Sequence, residues 1–289
     1  MNKRLIVNAD GFGFGTGATQ GIFDALEEGK FITSVSVNAN FQEAERVSEL
    51  SSKYPHISIG VHLNPMVGKP CLHPQRVPSL VGQDGYFHGH KFTGLLRKNM
   101  TSLDELEVEF DAQISKIKDL VGDHITHLDS QGNKHLIYFD LFLKLAQKWG
   151  IKRIRNNAPL ICLESLTPFC SRIVAYLKHP HLWIVHKYRR YQMLKARKLG
   201  IRMVDNLITV GYAGTGNKTN PDNWERILRN MSSGTYEIYC HPAYPDKVLR
   251  RWALYYCEER LEELTLLRKD WLANVAKYSD VKLISFNDI

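Results

Sequence analysis

The stretch Asp123-His-Ile-Thr-His-Leu-Asp-Ser-Gln-Gly-Asn-Lys-His135 decides how the rest of the chain is read. Ile125–Asp129 has the make-up of a short strand, and Ile137–Gly150 that follows has helical spacing. Read on in extended form, alternation puts His127, Asp129, Gln131, Asn133 and His135 on one side. Gly132 interrupts strict alternation before His135. Two imidazoles, a carboxylate and two amides are too polar for a core, so the face reads as a lining for a metal or a polar ligand. A hydrogen-bonded strand end that caps a barrel is the plainer alternative.

Working outward, the same strand-then-helix unit recurs. Strands are expected at Arg4–Ala9, Thr33–Asn38, Ile57–Leu63, Lys152–Arg155, Leu207–Gly211, Tyr236–His241 and Lys282–Phe286. Helices are expected at Ala18–Gly29, Gln42–Ser52, Ser102–Val121, Pro221–Met231 and Lys247–Lys277. Ser102-Leu-Asp-Glu105 fits a capping box. This alternation specifies an α/β fold with a parallel sheet, open or closed into a barrel. The loop Pro65–Asn99, rich in Gly, Pro and His, is long enough to be functional.

At 289 residues, with 44% hydrophobic and 24% charged residues, the chain reads as a globular domain with a sizeable core. One domain over 1–289 is expected. No apolar run reaches the roughly 20 residues of a membrane span, and no signal-peptide pattern opens the chain. The five cysteines are scattered without a CxxC pair. A reduced, cytoplasmic protein is therefore expected.

In a parallel βα protein the C-terminal strand ends build the site. Here they read Asn8-Ala-Asp10-Gly-Phe-Gly13, Gly60-Val-His62-Leu-Asn64, His127-Leu-Asp129, Arg153-Ile-Arg155 and Cys240-His241-Pro242. The glycines after Asp10 lack the spacing of a dinucleotide fingerprint. They would let the backbone approach a ligand closely. Such residues suit metal-assisted hydrolysis, with Asp10 as base, His241 as acid and His62 as the best single metal ligand.

These motifs resemble the YdjC-like carbohydrate deacetylases over nearly the whole chain. The opening is similar to the family's Asn-Ala-Asp-Asp-Phe-Gly, with Ile32-Thr-Ser-Val35 after it. Gly60-Val-His-Leu63 with Gly68-Lys-Pro70, Thr126-His-Leu-Asp-Ser130 and Cys240-His-Pro-Ala243 match three further motifs. The resemblance implies a distorted (β/α) barrel with parallel strands, TIM-barrel-like. It implies hydrolytic removal of an N-acetyl group from an amino sugar, with a divalent metal, magnesium or zinc.

Two positions depart from the family pattern. Gly11 stands where a second Asp is expected, and Gln131 where a His is expected. With His62, those positions form the metal triad that the resemblance implies. Gly11 offers no side chain, and a Gln131 amide oxygen is a weak ligand for a zinc-like ion. In one arrangement His62 is joined by Asp10 or Asp129, with Gln131, His127 or His135 nearby, the expected set being His62, Asp129 and Gln131, and it suits magnesium or manganese through oxygen ligands and water. The other loses the metal and leaves a saccharide-binding domain. Arg155, His127, His135 and Asn64 are expected near the substrate, Arg155 by its likeness to a family arginine.

The net charge of +8 is concentrated. Ser165–Val204 contains nine Lys and Arg and no acid, so removing those nine leaves the remainder at −1. Trp183, Ile184, Val185, Tyr188, Tyr191 and Leu194 are interleaved with them. This basic insertion suits the inner face of an anionic membrane, or the pyrophosphate of a lipid-linked glycan. A solvated cationic helix pair is the alternative. Nucleic acid is not expected, because no recognised module accompanies the charge. The long helix at Lys247–Lys277 is a possible homodimer surface.

Overall fold

Hydrophobic strands that read as nearly continuous apolar runs are buried on both faces in parallel sheets. The computed structural model bears this out in its described residues, which are 3–156, 177, 180–209, 221–253 and 257–289. The strands are β1 (Lys3–Phe12), β2 (Ser34–Val37), β3 (Ser58–Leu63), β4 (Ile125–Ser130), β5 (Asn206–Thr209), β6 (Gly234–Cys240) and β7 (Val281–Leu283). They form a seven-stranded parallel sheet in the order β4-β3-β2-β1-β6-β5, with β7 also on β1. Every residue of β2 and β3 is buried.

The sheet is curled into a barrel-like fold. Beyond β4, Ile154 bridges Leu128 and Arg202 bridges Arg153. A few residues later, Asp205 N–H donates to Thr235 on β6 at 2.9 Å. The chain leading into the edge strand β5 is thus linked, through Arg153–Ile154, to β4 at the opposite edge. The helices flank it. Thr16–Glu28 ends at Gly29, and Leu103–Val121 starts at Ser102, whose hydroxyl accepts from Glu105 N–H at 3.2 Å. That helix stops at Gly122 in a positive-φ conformation.

Four expectations need correction. Strict extension stops at Ser130, because Gln131–Asn133 form a 3-10 turn with φ of 59° at Gly132 and 53° at Asn133. Lys152–Arg155 contributes two bridges rather than a strand. Gln42–Arg46 is a 3-10 turn leading into the helix Val47–Lys53. The segment Lys247–Lys277 is not one helix but Lys247–Trp252, Glu258–Leu267 and Trp271–Tyr278, with 254–256 outside the described residues. The middle helix ends where the Leu267 carbonyl lies against Gly29, 2.0 Å from where a Cβ there would sit. Tertiary contact redirects the chain, and apolar periodicity carries no sign of it.

Other readings fall partly outside the described residues. Of the basic segment, 165–176, 178 and 179 lie there, as do Val210 and Gly211 of an expected strand and Cys162 and Cys170. The described cysteines Cys71, Cys240 and Cys257 are free. Among the described residues no helix is long and apolar enough to cross a membrane.

Candidate functional site

Sheet register sets the site. Asp10 pairs with Ser36, Ser36 with Gly60 and Gly60 with His127, so these four form one row across β1 to β4. His62 and Asp129 pair in the next row toward the strand ends. Ala9 pairs with Cys240, so Asp10 and His241 each follow directly on paired residues of neighbouring strands.

Arg155 ties the carboxylates together. Its guanidinium makes two bonds to Asp10, at 2.7 and 2.8 Å, reaches Asp129 at 2.9 Å, and gives its Nε–H to Glu237 at 2.6 Å. Asn8 and Ser36 extend the network: Asn8 donates to Asp10 at 2.6 Å and to Ser36 at 2.8 Å, and Ser36 donates to Asp129 at 2.8 Å. His62 Nδ1 lies 2.7 Å from Asp129 Oδ1.

Burial and charge set the protonation states. Burial, the largest influence, would push the Asp10 and Asp129 carboxyls up, but the charge and hydrogen bonds of Arg155, joined by His62, together hold both below the usual range. Burial would lower His62, and the Asp129 and Asp10 charges overcome it and raise it. Burial, aided by Arg260, lowers His241 to about 3, so its imidazole is neutral at rest. Glu237 is pushed up to about 7 by burial, against the opposing pull of Arg155.

A cavity of about 250 Å³ opens at these strand ends. Asp10, His62, Gln131, Tyr239, His241 and Arg260 line it, as do Met66, Val67 and His90 from the long loop after β3. Gly11 faces it at φ 101°, and a Cβ there would sit 3.7 Å from the Arg260 guanidinium. The turn after β4 supplies Gly132, Asn133 and Lys134.

Four expected substrate contacts do not line this cavity. His127 is fully buried, stacked 3.7 Å from the Phe286 ring and pressed on Gly60, where a Cβ would come within 2.3 Å of Nε2. His135 is fully buried against Phe142, with the Ser130 hydroxyl accepting its backbone N–H at 2.8 Å. Burial lowers both imidazoles to about 3. Asn64 spends its amide on the turn that follows, accepting from Met66 and Val67 N–H at 3.0 Å each. Arg155 is fully buried beneath the carboxylates it holds. These four brace the site from behind.

Sequence reasoning missed Ser36, Glu237, Tyr239, Lys134 and Arg260. Period-two alternation through β6 would have found Glu237 and Tyr239 on the face of His241. Arg260 sits on a helix with no local signal.

Asp10, His62 and Asp129 bring one ligand atom each within 4.8 Å of one another. The Asp129 bond at Nδ1 leaves Nε2 as the nitrogen of His62 open to an ion, the usual way a carboxylate orients a metal-bound imidazole. Both carboxylates are shared with Arg155, and Gln131 adds a neutral amide at the rim. This donor set fits a loosely held, oxygen-rich dication and falls short of the three strong ligands of catalytic zinc.

The chain is similar to known proteins over nearly its whole length. A family model described as YdjC-like protein matches residues 4–277. A protein named carbohydrate deacetylase from Halalkalibacterium halodurans is 30% identical over 285 residues, 97% of this chain and 100% of that one. Its namesake from Thermoanaerobacter pseudethanolicus is 29% identical and covers 93% of each. A crystal structure from Enterococcus faecalis, of a protein described as a candidate for cellobiose-phosphate cleavage, is similar in fold. Its TM-score is 0.78, with 25% identity over 100% of this chain and 99% of the other.

Proposed function

The chain belongs to the YdjC-like protein family, and from that membership and its strand-end geometry we propose that it hydrolyses the N-acetyl amide of an amino sugar. The substrate is an acetylated glycan or a lipid-linked saccharide. One observation carries the reading. Asp10 and His241, on adjacent strands, face one cavity, one held ionised and the other neutral. Both are proton acceptors at rest, so Asp10 is placed to take the first proton and His241 becomes an acid only once it has gained one.

Water adds to the acetyl carbonyl carbon, the C–N bond breaks, and acetate and a free amine leave. Asp10 accepts the water proton, and Arg155 fixes the carboxylate's position. His241 delivers a proton to the departing nitrogen. Being neutral at rest, it takes the second proton of the added water as the C–N bond breaks, and Asp10 afterwards releases the first to solvent. A divalent ion held by His62, with Asp10 or Asp129 and with Gln131 at the rim, would polarise the carbonyl and acidify its water. Tyr239 and Trp252, on the cavity wall, offer rings for a sugar face.

A second reading, saccharide binding without hydrolysis, is favoured by Gly11, by Gln131 and by the grip of Arg155 on both carboxylates. Incubation with N-acetylglucosamine oligomers, with and without magnesium or manganese, separates the two. Acetate release that Asp10→Asn abolishes supports the first. Sugar binding without acetate under any of these conditions selects the second.

A further inference from the structure

Among its described side chains, the helix Pro180–Lys198 packs on the barrel by one face. Gln192, Met193 and Ala196 are buried, and Gln192 donates to the Leu136 carbonyl at 3.0 Å. At 100° per residue, Trp183, Ile184, Tyr188, Tyr191 and Leu194 fall within one arc of about 140° on the remaining surface. All five are exposed, by 52% to 65%. An unpartnered stripe of two tyrosines, a tryptophan and two aliphatic side chains is unusual on a surface facing only water.

The charges around the stripe select its occupant. Lys187 and Lys198 project within the arc, Arg190 and Arg197 along one margin and Lys195 near the other. The helix carries no acid. Lys187 lies 5.4 Å over the Trp183 ring. Lys195 and Arg197 lean back to Asp140 and Asp205. Lys187, Arg190 and Lys198 are exposed. Apolar and aromatic groups flanked by cations match the interface of an anionic bilayer, where the rings enter the headgroup boundary and the cations meet lipid phosphate. A second copy of this helix would set like charges against each other, since the helix carries no acid.

The geometry points to Pro180–Lys198 as a docking surface for anionic membranes. It also sets the cavity beside the bilayer. Leu136, which anchors the helix, follows directly on the turn that supplies Lys134 to the cavity, and the charge of Arg189 reaches Lys134 closely enough to lower its pKa, after burial and Arg97.

Co-flotation of the full chain with vesicles tests this independently of catalysis. Phosphatidylcholine vesicles with and without phosphatidylglycerol serve as probes. The wild type should float only with the anionic vesicles at low salt, and salt should release it. Lys187→Glu/Arg190→Glu/Lys198→Glu should weaken binding at least about a hundredfold. Trp183→Ser/Tyr191→Ser should weaken it while leaving the charge unchanged. Circular dichroism and acetate release or sugar binding report whether each variant remains folded. Failure to float with anionic vesicles overturns the proposal. So does flotation that survives the charge reversal, or concentration-dependent dimerisation lost in Trp183→Ser/Tyr191→Ser, which would assign the stripe to a second copy of the chain.

Discussion

Arg155 clasps Asp10 through two hydrogen bonds, Nη1 to Oδ2 at 2.8 Å and Nη2 to Oδ1 at 2.7 Å, with both side chains buried. The same guanidinium serves Asp129 and Glu237, so one cation compensates several acids. Removing it leaves buried carboxylates unpaired. Arg155→Met should cost about 3–5 kcal/mol of unfolding free energy. Asp10→Asn, which leaves Arg155 its other partners, should cost about 1–3 kcal/mol. Urea unfolding compares the two. Equal costs would mean that Arg155 is not the hub of the network.

Stability should fall on mild acidification. His127, His135 and His241 are held at about 3 in the folded protein against an ordinary 6.5. Below 6.5 an unfolded chain binds protons that the folded one refuses, so stability is lost as pH drops from 6.5 toward 3. Glu237, pushed up to about 7, acts in the opposite sense above its ordinary 4.5. Near pH 5.5, unfolding should take up about two protons, three from the histidines less one at Glu237. That corresponds to about 3 kcal/mol per pH unit. His62, raised, contributes stability that is full below 6.5 and is lost as pH climbs through its folded value. Asp10 and Asp129, lowered, contribute stability present above 3.8 and lost as pH falls through their folded values. Thermal melts of chelator-treated protein between pH 4 and 8 measure the slope. A flat profile between 5 and 6 would contradict it.

Metal affinity should respond to two substitutions. Gly11→Asp with Gln131→His adds a carboxylate and an imidazole where the chain has neither. Space exists at Gly11, since the nearest atom to an added Cβ is 3.7 Å away. The φ of 101° makes any side chain there strained, at about 1–3 kcal/mol. The double variant should hold manganese or zinc through dialysis, and the wild type should not. Elemental analysis decides. Equal retention would show that Arg155 leaves the carboxylates of the original set fully available.

Gly60→Ala should be disproportionately damaging for a single methyl. The added Cβ would meet the His127 ring at 2.3 Å, and that ring is held between Gly60 and Phe286. Overpacking of this kind costs about 1–3 kcal/mol. Melting temperature and the near-ultraviolet spectrum check it. A neutral effect would mean that the ring has room to move.

Strand ends were the legible part of this chain. Asp10, His62 and His241 stand out because a polar residue closing an apolar run has few structural reasons to be there, and all three face the cavity. Side-chain rows across strands were less legible. His127 and Asp129 alternate together on one face and both reach Ser36, yet one stacks on Phe286 and the other orients His62. Local spacing does not reveal which partner a neighbouring strand supplies. The union of Arg155 with Asp10 spans 145 residues, and Arg260 reaches the cavity from a helix far along the chain. Such contacts belong to the closed sheet, and no local pattern encodes them.

The central claim is hydrolysis of an N-acetyl amide, and the acetate methyl signal in proton NMR tests it most directly. Purified protein with N-acetylglucosamine oligomers and magnesium or manganese should produce acetate together with free amine in equal amounts. Asp10→Asn should abolish both while the protein stays folded. Bound sugar with no acetate, or acetate at the same rate from Asp10→Asn, would contradict the account.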